Sequence, residues 1–136
     1  SMDLLEKEDA KDIENKFKKA LNLSYEIFKE DAFRKRTDLN ERQRPINKAY
    51  FEVITVLFAK LSDQNERELL NHKCLFKENL MTLMANDRYS NSLSRGTGTK
   101  DSVNIRFSWF QQILNKSIEG IKIKISDDNK IEDIRL

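Results

Sequence analysis

The sequence predicts a mainly all-α fold, and three observations carry that expectation. Only three glycines and one proline interrupt 136 residues, which favours long helices over a many-turned β fold. Apolar residues recur at spacings of three and four along most of the chain, and a period-two alternation occurs only near the C-terminus. The expected architecture is a compact bundle of about five helices in one domain, with 118–136 as a C-terminal β-hairpin or tail.

The first helix is expected over 8–30, where Ile13, Phe17, Ala20, Leu21, Ser24, Ile27 and Phe28 form an inward stripe beneath a Lys/Glu outer face. Residues 1–7 read as a frayed end, with Ser1 ahead of Met2 as a tag remnant. Arg34 through Pro45 are polar and aperiodic, hence a loop. Pro45 suits the first turn of the second helix, and Asn47 is an alternative cap. That helix runs to about Leu61 and buries Ala49, Tyr50, Val53, Ile54, Leu57, Phe58 and Leu61.

Ser62-Asp63 is a cap signal, and Asp63 followed by Glu66 resembles a capping box. Helices are then expected over 64–73 and 75–86, the latter turning Phe76, Leu80, Leu83 and Met84 inward. Between Asn86 and Lys100 the apolar pattern stops, giving the longest loop, with room for a short helical turn. Asp101 or Ser102 can cap a last helix striped by Val103, Phe107, Phe110 and Leu114 and flanked by Trp109 and Ile113. Ile121, Ile123 and Ile125 alternate with lysines, Asp127-Asp128-Asn129 marks a turn, and Ile131 and Ile134 follow. Alternation around a turn is a hairpin pattern, but an isolated hairpin is marginal in water and must pack on the helices or pair elsewhere.

Composition excludes several classes. Apolar residues make up 38% and charged residues 35%, with eight Phe, three Tyr and one Trp, so the chain holds core material that a disordered segment lacks. A net charge of +2 is too mild to declare nucleic-acid binding without local clustering. The apolar runs are far shorter than the roughly 20 residues a membrane span needs, and no secretory signal pattern is visible. Cys74 is the only cysteine, so no internal disulfide can form and a cytoplasmic, reducing setting is expected.

No set of residues suggests bond-making chemistry. His72 and Cys74 are the only His and the only Cys, too few for a structural zinc site, and no metal or cofactor is expected. Cys74, beside Leu75 and Phe76, reads as a buried structural thiol. Asp127 with Asp128, and Glu66 with Glu68, lie in polar settings that give no reason for a raised pKa. Arg95-Gly96-Thr97-Gly98-Thr99-Lys100 lacks the glycine spacing and the preceding strand of a phosphate loop. It does lead into a helix N-terminus, where free N–H groups attract anions.

Positive charge is densest between Arg34 and Lys48: Arg34, Lys35, Arg36, Arg42, Arg44 and Lys48 against Asp38 and Glu41. Two readings stand side by side. Such a cluster is a solvated loop with arginines folded onto helix ends, or, joined by Arg95, Lys100 and Arg106, a salt-sensitive contact surface for phosphates.

Three stretches in order carry a family resemblance: Phe28-Lys29-Glu30-Asp31-Ala32-Phe33-Arg34, Ile46-Asn47-Lys48-Ala49-Tyr50-Phe51-Glu52-Val53, and Gly96-Thr97 through Val103 to Arg106-Phe107. Together they resemble the C-terminal helical region of the ParB-like, GmrSD-type family of phage-defence and restriction proteins, over roughly 17–116. The resemblance implies a non-catalytic accessory or interaction domain that packs against or regulates a ParB-like NTPase/nuclease domain. That domain's Asp-Gly-Gln-Gln-Arg type signature appears nowhere in this chain. The resemblance therefore implies either a C-terminal part separated from its N-terminal domain or a reduced relative working with a separate partner. It points to Arg34, Asn47, Lys48, Thr97 and Arg106 as mainly architectural. The alternative expectation is a DNA-binding module using the 34–48 and 95–106 loops.

Overall fold

The computed structural model describes residues 4–37, 40 and 42–134, with side chains from Asp9 onward. Asp38 and Glu41, counted above against the basic cluster, lie outside the described residues, as do Ser1–Asp3 and the last two residues. In chain order the elements are α1 (Leu4–Phe28) with a 3₁₀ turn (Lys29–Asp31), α2 (Lys48–Ala59), α3 (Asp63–Asn71), α4 (Lys73–Ala85), α5 (Asp87–Ser94), α6 (Lys100–Ile118), β1 (Ile123–Ile125) and β2 (Ile131–Asp133). The fold is mainly α. It carries six α-helices among the described residues rather than about five, and α1 is already helical at Leu4.

Side-chain caps set the starts of four helices. The Asn47 carboxamide oxygen accepts from the Tyr50 N–H, settling the choice between Asn47 and Pro45. Ser62 accepts from Asn65 N–H and so caps α3. The expected Asp63–Glu66 box is absent, because Asp63 is already helical and Glu66 instead faces the Lys19 ammonium at 3.2 Å. Asn86 caps α5 through the Tyr89 N–H, and Thr99 caps α6 through Ser102 N–H. Thr99 displaces the expected Asp101 and Ser102 because its backbone is extended while theirs is already helical.

α5 corrects the expected long loop at 86–100. Its polar octet holds Tyr89 and Leu93 four residues apart, and both are buried, so one helical turn's worth of apolar contact suffices to dock it. The core is one contiguous cluster. At its centre Phe58 of α2, Phe76 of α4 and Phe110 of α6 pack with ring centroids 6.0 to 6.3 Å apart, and each is fully buried. Edge-to-face and tilted pairs of this kind add to simple burial because the ring edges are electropositive and the faces negative.

The hairpin exists. β1 and β2 pair antiparallel in the register Ile123 with Asp133 and Ile125 with Ile131. The helices hold it through buried Asn79 of α4, whose amide donates to Ile121 O (3.0 Å) and accepts from Ile123 N (3.1 Å). A side-chain amide thus supplies the pairing that a third strand would give. An ion pair between Lys116 and Asp133 at 2.8 Å fastens the second strand; the hydrogen bond that the ammonium donates to that carboxylate raises the Lys116 pKa.

Two positions expected on inward stripes are exposed. Ile13 and Phe17 are 68% and 43% exposed, although Ala20, Ser24 and Ile27 on the same stripe are buried. The stripe simply outruns the body it packs on. No helix is long and apolar enough to cross a membrane among the described residues.

Candidate functional site

Two regions could carry a function: the open half of α1, and the junction where the α2 N-terminus meets the turn between α5 and α6. Residues 13, 17, 20, 24 and 27 alternate spacings of four and three, the seam along which one helix packs on another. Every residue from Asp9 to Lys18 is exposed, and the seam becomes buried only from Ala20. Phe17 is partly held, edge-on to Phe51 at 6.3 Å; Ile13 is bare. Tyr25 on α1 and Val56 on α2 add exposed apolar surface, at 61% and 37%.

The junction gathers two of the three stretches that carried the family resemblance, and the first is tied to it by the hydrogen bond from Asn47 N–H to Phe33 O at 2.9 Å. Asn47 does two jobs there, capping α2 and donating from Nδ2 to Leu93 O at 3.0 Å, which ties α2 to the end of α5. Arg106 of α6 is buried, only 4% exposed, and its Nη1 donates to Ser92 O (2.9 Å) and Thr97 O (3.0 Å). Its own carbonyl accepts from the Tyr89 hydroxyl at 3.1 Å. Burial pushes the Tyr89 phenol well above its ordinary pKa, so it remains a neutral donor. A hollow of about 460 Å³ opens at this junction, lined by Asn47, Lys48, Ala49, Glu52, Leu93, Thr97, Gly98, Val103 and Arg106. Ala49, Glu52, Leu93 and Val103 were not expected at a site. A faint signal was available for Glu52, one helical turn beyond Lys48 and hence on the same face.

The basic residues differ in burial and in the partners they hold. Arg34 donates from Nε to Glu30 O (3.1 Å) and from Nη1 to Arg44 O (2.7 Å), pinning the loop to the end of α1. Arg36 pairs with Asp31 at 2.9 Å. That hydrogen bond, outweighing partial burial and helped by the Arg36 charge, Gln43 and Arg34, lowers the Asp31 pKa. Lys35 donates to the Ser90 and Ser94 hydroxyls of α5. Arg106 is a buried tie at the rim of the hollow rather than an exposed side chain. Arg42, Lys48, Arg95 and Lys100 are exposed and Arg44 is half-buried.

The thiol expectation also needs correcting: Cys74 is exposed, since its position on α4 turns away from buried Phe76. It lines a smaller apolar hollow of about 280 Å³ walled by Phe28, Leu80, Met81 and Met84. His72 sits between α3 and α4 with Nδ1 3.0 Å from Glu68 O. Its ring packs so close to Gly120 that a Cβ there would lie 3.0 Å from Nε2. Gly120 also has φ +77, so both space and backbone favour glycine. Among the described residues no group of three or more His, Cys, Asp or Glu could hold a metal ion. The Gly96–Thr99 turn follows a helix rather than a strand, unlike a phosphate loop.

No family model, curated protein or solved structure matches the chain.

Proposed function

We propose that this chain is a non-catalytic helical accessory domain of a GmrSD-type phage-defence or restriction protein, packing against a ParB-like domain through the open half of α1. The observation that carries the reading is the unburied continuation of the α1 seam at Ile13 and Phe17. An apolar stripe with helix-packing periodicity that leaves its own core is a surface awaiting a second body. The order of the three resembling stretches names the class of that body. On this reading the chain needs no cofactor, and its buried polar groups serve architecture: Asn47, Arg34 and Arg106 hold loops to helix ends.

The test is co-expression of the chain with a ParB-like domain of a GmrSD-type protein, followed by co-purification. Ile13→Asp combined with Phe17→Asp should abolish co-purification while leaving the circular dichroism spectrum helical. A complex that survives the double variant rejects the docking face.

A second reading, duplex DNA binding, draws on one specific feature. Lys35 and Asn47 fasten the 34–47 loop to α5, beside the turn that carries Arg95 and Lys100. Exposed Arg42, Lys48, Arg95 and Lys100 would then neutralise phosphates, giving affinity that falls steeply with salt. A gel shift at two salt concentrations, with Arg42→Ala plus Arg95→Ala as the variant, decides it: equal retardation of wild type and variant removes this reading.

A further inference from the structure

We infer that the hollow at the α2–α6 junction binds a phosphoryl group, with the Arg106 guanidinium and the Lys48 ammonium as its cationic walls. This goes beyond the docking reading and does not depend on it.

The reason lies in how Arg106 is buried. A guanidinium shut away from water is expensive unless an anion and a full set of acceptors replace its hydration. Arg106 is 4% exposed. It has two neutral carbonyl acceptors, Ser92 O and Thr97 O, and both are used by Nη1. Its Nε is sealed from solvent and has no hydrogen-bond partner among the described residues. Among the described residues no carboxylate lies within ion-pair distance of it, whereas Arg36 has Asp31 at 2.9 Å. A buried cation left without a counter-charge borders a hollow of about 460 Å³, within the range of small-ligand sites.

The rest of the lining fits the same chemistry. Lys48 is exposed and opens the first turn of α2. Beside it Ala49 contributes a first-turn N–H, and helix N-termini favour anions through such groups and the helix dipole. Gly98 has open space where a Cβ would stand, so the turn can be approached closely. Leu93 and Val103 supply apolar wall. One group opposes an anion: the Glu52 carboxylate, exposed and one helical turn beyond Lys48. Two cations and a helix N-terminus against one carboxylate leave the hollow electropositive.

The experiment is an NMR titration of the whole chain with inorganic phosphate against sodium chloride at matched ionic strength. It follows the Arg106 Nε–H signal and the amides of Lys48, Ala49 and Gly98. Saturable shifts of these signals with phosphate but not chloride are expected. Lys48→Ala, an exposed change that leaves the fold intact, should weaken the affinity about tenfold, the worth of one charge-assisted hydrogen bond. Glu52→Gln should strengthen it. Shifts that chloride reproduces, or an affinity that Lys48→Ala leaves unchanged, overturn the proposal. Further arms separate the sources of the phosphoryl group. A mononucleotide that binds more tightly than phosphate assigns a small phosphorylated molecule, and a preference for a DNA oligonucleotide assigns the nucleic-acid backbone.

Discussion

Ile13 and Ile27 occupy one helix and one stripe, yet Ile13 keeps 68% of its surface and Ile27 keeps 1%. The sequence around them is alike: apolar residues four and three apart, lysines and glutamates elsewhere. What separates them is the length of the partner helix. α1 has 25 residues, about 37 Å at 1.5 Å per residue, whereas α2 has 12. Periodicity therefore reports that a face is made for packing, and says nothing about whether the packing body lies in the same chain.

That contrast can be broken by mutation. Ile27→Ala removes a fully buried side chain and should cost about 2–5 kcal/mol in urea unfolding, through lost transfer energy and the cavity left behind. Phe17→Ala should cost less, about 0.5–1.5 kcal/mol, because the side chain is 43% exposed and the ring pair it loses is the edge-on one with Phe51. Ile13→Ala in the isolated chain should stay within about 0.5 kcal/mol of wild type, as exposed substitutions do. A loss at Ile13 equal to that at Ile27 would mean that the open half of α1 is already covered. Hydrogen exchange offers the same test without mutation, with the amides of 9–18 expected to exchange faster than those of 20–28.

A small, pH-dependent effect sits just past the end of α1. Asp31 has a folded pKa below its ordinary value of 3.8, chiefly through the hydrogen bond from Arg36. A depressed carboxylate stabilises the fold above its unfolded pKa and loses that contribution as pH falls through the folded value. Asp31→Asn should thus lower stability at neutral pH and flatten its decline between about pH 5 and pH 2. The side chain is 36% exposed, so solvent screening holds the effect below about 1 kcal/mol.

Much of the fold was legible because long stripes dominate it. The central phenylalanines, the α2 seam and the C-terminal alternation all followed from period alone. What escaped was short or rotational. In α5 only Tyr89 and Leu93 mark the helix, and six polar neighbours hide them. Cys74 directly precedes apolar Leu75 and Phe76 in sequence but lies on the outer side of α4 in space, because each helical step turns the side chain by about 100°. Thr99, Asp101 and Ser102 are all good caps, and only backbone conformation chooses among them. At the candidate site, the family stretches named Asn47, Lys48, Thr97 and Arg106, which the fold does bring together. That Arg106 would be buried without a counter-ion was not legible, because the carboxylate that fails to reach it leaves no mark in the sequence.

Asn79 has a consequence for how the protein is made. Its carboxamide lies in the core and is satisfied by Ser117, Ile121 and Ile123, the last two lying beyond α6. Until the segment beyond α6 has emerged from the ribosome, that amide has only Ser117 and water to bond, and a hydrated amide keeps the interior beside α4 from closing. The helices can form as they appear, but the native packing around Asn79 must wait for Ile121 and Ile123, so a chain arrested before Ile121 should remain loosely packed and open to proteases.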